Sequence, residues 1–214
     1  MEDRLTRFRI PMLMAASLAT AMCITGCTTN SSTPHGSAVP TGATAIGGSS
    51  VSNIPTPAAP KIPASQQEAQ DTVVGYLQQT VNGLPPGTTL DSTDFRGGAN
   101  MDCEDEPTGP GKPPTRFEYW THVNGPEGGN LDDLVSKAGD VWKSLGINVI
   151  ERDDFRKPNR FGYPADGYEL QIKGAAKPGY PPTLIVMSPC FPGDLARDDI
   201  PWPSVVAQSP SAGQ

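Results

Sequence analysis

The chain has 214 residues and a formal net charge of −7, and its 24 prolines and 23 glycines make up more than a fifth of it. Length alone allows one or two domains, but Pro and Gly at this density, concentrated in the first third and at the end, predict a folded part smaller than the length suggests. An acidic chain is repelled by phosphate backbones, which argues against nucleic acid as a partner. It is repelled by an anionic membrane surface as well, so membrane attachment needs a device other than charge.

The first 26 residues read as a targeting segment. Arg4, Arg7 and Arg9 make a short basic start, and an apolar stretch with Leu13, Met14, Ala15, Ala16, Leu18 and Ala19 follows. At about fifteen residues the stretch is short for a membrane span, which takes ~20. It ends in Ile24-Thr25-Gly26-Cys27. That ending resembles the bacterial lipobox, in which the Cys thiol takes a diacylglycerol and a peptidase cuts just before it. Cys27 is therefore expected to be the lipid-bearing first residue of the mature chain, and Cys23 to leave with the signal. The alternative is an ordinary secretory signal with a chance Cys. Two acyl chains anchor stably, at ~0.8 kcal/mol per buried methylene. The expected address is the outer face of the cell membrane.

Residues 27–64 read as a tether. After Cys27 they are rich in Ser, Thr and Pro, without an aromatic residue and without apolar periodicity. Such a stretch buries too little to offset its ordering entropy and is expected to be disordered. At ~5–6 Å × √n it would set the domain on the order of 30–35 Å from the membrane. His35 falls here and reads as inert, and the Ser/Thr residues near Pro suit O-glycosylation.

A domain is expected over 65–197, with a flexible tail over 198–214. Ser65 and Glu68 form a capping box. Ala69, Val73, Tyr76, Leu77 and Val81 recur at helical spacing until Asn82-Gly83. A second helix starts at an Asn130 cap with Asp132 and Asp133 in its first turn, presents Leu131, Leu134, Val135, Ala138, Val141, Trp142 and Leu145 on one face, and ends at Gly146. Strands are predicted over 115–123, 147–152, 168–174 and 184–187, with an edge strand over 88–95; Tyr168, Leu170 and Ile172 point inward. The fold class is α+β: an antiparallel sheet of four to five strands with two helices on one face.

With Cys23 and Cys27 accounted for, Cys103 and Cys190 remain. In an exported domain such a pair is expected to close as a disulfide. The rival reading, a catalytic or metal-binding thiol, lacks a second Cys or His at ligand spacing.

Asp102, Glu104, Asp105 and Glu106 lack the alternating oxygen ligands of a calcium loop and read as a solvated acidic loop. Ser188 and His122 can be written into a triad, but no Gly-x-Ser-x-Gly elbow surrounds Ser188. At Gly128-Gly129-Asn130, Asp132 and Asp133 would repel an anion. Arg152, Asp153, Asp154, Arg156 and Lys157 read as a solvated loop of mixed sign.

The order of features resembles small mycobacterial lipoproteins of the LppA and LppV kind over residues 66–193. It consists of a lipobox, a Ser/Thr/Pro tether, a helix, Leu84-Pro85-Pro86-Gly87-Thr88-Thr89, a Cys, a helix with Trp142 and Leu145-Gly146, a strand opening on Gly167-Tyr168, and Ser188-Pro189-Cys190. Leu90 departs from the pattern, which places a Trp after the Pro-Gly turn. The resemblance implies a helix-on-sheet domain with one disulfide and no catalytic residues to carry over.

The expected function is a membrane-anchored binding or scaffold module of the cell envelope, with no enzymatic activity, cofactor or metal. Its partner would be an envelope protein or glycan, met on the sheet face bearing Arg116, Glu118, His122, Glu169, Gln171 and Lys173. The alternatives are a carrier of a small apolar or lipid ligand and, behind it, an envelope hydrolase using Ser188 and His122.

Overall fold

The computed structural model describes residues 54–95, 97–105, 109–175 and 177–210. The lipobox, Cys23, Cys27 and His35, and with them most of the tether, lie outside the described residues, as does Glu106.

Helix α1 spans Gln66–Gly83. The Ser65 hydroxyl accepts the Glu68 N–H at 3.1 Å. The Glu68 carboxylate reaches back to the N–H of Ala64 at 2.8 Å, one residue beyond the partner a capping box supplies. Ala69, Val73, Leu77 and Val81 form its fully buried stripe. Helix α2 spans Leu131–Ser144, and Asn130 Oδ1 accepts the Asp132 N–H at 3.0 Å. Leu134, Val135, Ala138 and Trp142 are buried, but Leu145 is 45% exposed and does not join the stripe. The helix ends at Ser144, Leu145 is its C-cap, and Gly146 at φ 78° turns the chain directly after it. Trp142 Nε1 donates to Thr80 Oγ1 at 2.9 Å, which joins the two helices inside the core.

The strands are β1 (Thr89–Asp91), β2 (Gly98–Asp102), β3 (Thr115–Asn124), β4 (Asn148–Ile150), β5 (Asn159–Tyr163), β6 (Glu169–Lys173), β7 (Thr183–Met187) and β8 (Val205–Ala207). They form one sheet in the order β4-β5-β6-β7-β3-β1-β8, and every pairing is antiparallel. The first half of β3 pairs with β2 and the second half with β1 on the same edge. The α+β class therefore holds, while the sheet has eight strands where four to five were expected. The unexpected strands are β2 (Gly-Ala-Asn-Met-Asp), β5 (Asn-Arg-Phe-Gly-Tyr) and β8, a short Val-Val-Ala. None carries an alternating β-branched pattern, and each is held by its ladder to a neighbour: β2 on β3, β5 between β4 and β6, β8 on β1. Strand β1 is thus not an edge strand, since β8 closes its outer side.

Both helices pack on one face. Leu90, Phe117, Tyr119, Val123, Leu170, Ile172, Leu184, Val186 and Val206 share a single buried core with the helix stripes. Gly162 lets the second helix approach closely, because a Cβ there would stand 2.9 Å from Cε3 of Trp142.

The domain extends past both expected boundaries. Upstream of Ser65, the N–H groups of Ala59 and Lys61 donate to the carbonyls of Ala165 and Asp166 at 2.9 and 2.8 Å. Downstream, the stretch assigned to a flexible tail is built into the sheet through β8. Trp202 packs 6.1 Å from Phe117, Tyr119 donates to the Pro203 carbonyl, and Gln208 Nε2 donates to the carbonyls of Val81 and Leu84.

Cys103 and Cys190 form the disulfide, closing 87 residues. Thr115 at the start of β3 pairs with Asp102 on one side and Phe191 on the other, and each of those neighbours is one residue from a bridge cysteine. The bridge therefore clasps the strands flanking the longest strand at its first residue.

Candidate functional site

The face turned away from the helices carries the residues of opposite parity. On β3 these are Arg116, Glu118, Trp120 and His122; on β7, Thr183, Ile185 and Met187; on β6, Glu169, Gln171 and Lys173. Register places Trp120 opposite Ile185, and Ile185 opposite Gln171. The six residues expected on a free face all lie on it. Glu118, however, is only 4% exposed and offers little surface itself.

Burial of Glu118 has a purpose visible in its contacts. The Arg116 guanidinium meets its Oε1 through Nε and Nη2, both at 2.7 Å. Its Oε2 accepts the Trp120 indole N–H at 3.0 Å. A carboxylate taken out of water needs a counter-charge and filled lone pairs, and this one has both. The Trp120 ring, 38% exposed, is consequently held in one orientation. Ile185 beside it is fully buried, so the ring stands on a closed floor. Trp120 was absent from the expected face, although it lies between Glu118 and His122 in the same alternation; parity along β3 was the signal that would have included it.

Loops cover the two ends of this face. At one end Phe95 lies 6.2 Å from the Trp120 ring and 4.5 Å from the His122 ring. His122 Nε2 is 3.8 Å from Asp94. At the other end Phe155 packs 4.9 Å from Phe161, and Arg152 lies over both rings at 4.7 and 4.9 Å. The segment from Arg152 to Lys157, expected as a solvated loop, is thus organised around aromatic rings. Asn159 holds it from beneath: its side chain accepts the Arg152 N–H at 2.8 Å and donates to the carbonyls of Arg152 and Arg156 at 2.9 and 3.1 Å. The Asp154 carboxyl is held below its usual range by its hydrogen bond to Arg152. Glu151 is lowered likewise, first by Lys157 and then by Arg160.

Among the concavities of the described residues, one lies away from this patch and another borders it at His122. A groove of about 500 Å³ runs beside α1, lined by Thr72, Tyr76, Leu145, Ile147, Pro164 and Asp166 among others. Tyr76 donates to Asp166 Oδ2 at 2.7 Å; burial, and then this carboxylate, push the phenol well above its ordinary value. A second depression of about 390 Å³ is bounded by Asp91, Asp94, His122 and Tyr180.

Ser188 and His122 are not brought together. Ser188 Oγ accepts the Phe117 N–H at 2.9 Å and donates to the Pro189 carbonyl at 2.9 Å, whereas His122 sits opposite Thr183 at the other end of the β3–β7 ladder. Ser188 is a structural hydroxyl that ties the end of β7 to β3. Among the described residues, no three His, Cys, Asp or Glu side chains are placed to hold a metal ion, and no helix is long and apolar enough to cross a membrane. Comparison with protein-family models, with curated proteins and with solved structures found no match.

Proposed function

We propose that this chain is a lipoprotein of the cell envelope, held on the outer face of the cell membrane by lipid on Cys27, and that its domain is a non-enzymatic binding or scaffold module. The anchor rests on the basic start, the short apolar stretch and the Ile24-Thr25-Gly26-Cys27 ending. The binding role rests on one observation: an exposed tryptophan, Trp120, is fixed in orientation on the helix-free face by a buried carboxylate. Trp and Arg on a closed apolar floor are the residue types that carry most of the energy at binding surfaces.

The two parts are tested separately. For the anchor, the chain is expected to incorporate a labelled fatty acid in growing cells and Cys27→Ala to abolish the label, and an unlabelled unaltered chain would refute lipid attachment. For the surface, a photo-reactive side chain at Thr183 is expected to cross-link in intact cells, while one at Gln67 on the outer side of α1 does not. Equal labelling at both positions would refute the face.

The groove beside α1 favours a second reading, a carrier of a small apolar ligand, since about 500 Å³ falls in the range of ligand sites. Native mass spectrometry of the full chain in detergent is expected to show no co-purifying ligand. A retained small molecule would favour the carrier.

A further inference from the structure

Resting on the reading that the helix-free face is a binding surface, we infer that its partner is a neutral polysaccharide chain, with Trp120 as the stacking platform. The indole N–H is committed to Glu118, so Trp120 offers a partner its ring surface and no donor. That ring is already ordered, because the carboxylate holding it is itself forked by Arg116. A pre-ordered flat apolar surface loses little entropy on contact and matches the C–H face of a pyranose ring. Ile185, fully buried beside it, makes the ring part of a closed floor, which suits a chain lying across the sheet better than a ligand enclosed by it.

Beyond Phe95 and the Arg116–Glu118 pair, the same face carries two neutral hydrogen-bonders. Gln171 stands across Ile185 from Trp120, and Thr183 stands beside His122 on β7. Both are partly exposed, and neither side chain has a hydrogen-bond partner among the described residues. An amide and a hydroxyl each donate and accept, as sugar hydroxyls do. Local charge points the same way. Arg116 and Glu118 neutralise each other, and β6 presents Glu169 and Lys173 with opposite signs. These pairs carry no net charge, and the unmatched groups at the His122 end, Asp91 and Asp94, are acidic, so on a chain of net charge −7 the face has no attraction for a polyanion.

The test uses the full chain in detergent and the protease-treated polysaccharide of a bacterial envelope, separated by anion exchange into neutral and anionic fractions. Retention on the neutral fraction is expected, with Trp120 protected from acrylamide quenching. Trp120→Ala is expected to weaken retention about tenfold or more. Gln171→Leu, on a partly exposed position, should weaken it without loss of fold, and Trp120→Phe should keep part of it. No retention on the neutral fraction, retention on the anionic fraction alone, or unchanged retention by folded Trp120→Ala would each overturn the inference. If glycan fails while the cross-linker at Thr183 captures a protein, the partner class is wrong and the binding face stands. If both fail, the face falls as well.

Discussion

The indole nitrogen of Trp120 donates at 3.0 Å to Glu118, a carboxylate 4% exposed whose other oxygen is held by Arg116. Three alternate residues of one strand thereby make a single rigid unit: guanidinium, carboxylate and ring. Glu118→Ala leaves the indole N–H and the guanidinium without their shared acceptor, and is expected to destabilise the domain by about 1–3 kcal/mol. Urea unfolding measures the loss, and acrylamide quenching of Trp120 should rise in the same variant. Unchanged quenching would mean the ring is held by something else.

The core predicts a steep response at Trp142. This side chain is fully buried, bonds Thr80 on the other helix and lies over Gly162. Trp142→Ala is expected to cost about 3–5 kcal/mol. Gly162→Ala introduces a methyl 2.9 Å from the indole and should cost about 1–3 kcal/mol by overpacking. Both are read from denaturant midpoints.

Losing the Cys103–Cys190 bridge removes a constraint on 87 residues of unfolded chain. In the chain-entropy model the double Cys→Ser variant should be less stable by about 4–5 kcal/mol. Thermal melts with and without reductant check it, and reductant should leave the variant's melting temperature unchanged.

Four tyrosines, Tyr76, Tyr119, Tyr163 and Tyr168, have phenols raised above the ordinary value of 10.0, each chiefly by burial. A phenol with a raised folded value ionises first in the unfolded chain. The stability it contributes is complete below the unfolded value and is lost as pH rises through the folded one. Urea midpoints should therefore hold steady up to about pH 9 and fall above pH 10. Tyrosinate absorbance of the folded protein should appear later than that of the unfolded chain; coincident titrations would contradict the burial.

Gln66, 1% exposed, has neither amide atom paired among the described residues, and Gln70 Oε1 nearby in α1 has no partner among them either. Removing an unpaired buried amide while keeping its volume is favourable. Gln66→Met is expected to stabilise by about 1 kcal/mol, measured by urea unfolding, and destabilisation would contradict the unpaired state.

The helices and β6 were legible because each buries one face and so carries a clear period, with caps such as Ser65 and Asn130 marking the helix starts; β3 was legible as an aromatic-rich run and β7 as a short apolar run buried on both faces. The strands β2, β5 and β8 were not. Their residues are polar, small or few, and the ladder of a neighbouring strand forms them. Leu145 illustrates the same limit, since a helix period extended one residue too far placed it inside. Parity on β3 and β6 located the helix-free face, but not the bond by which Glu118 fixes Trp120: residues two apart on a strand share a face, and only the rotamers decide whether they touch. The order around Arg152 was hidden because a run of mixed charges reads as solvated until Phe155, Phe161 and Asn159 are seen beneath it.

A binding face around Trp120 must meet its partner where the protein works. Hydroxyl-radical footprinting of Trp120 in the purified chain and in intact cells asks this directly, with Leu145, 45% exposed beside the groove along α1, as the reference. The account predicts strong labelling of both residues in the purified chain, and selective protection of Trp120 in cells. Equal labelling of Trp120 in the two settings would contradict it.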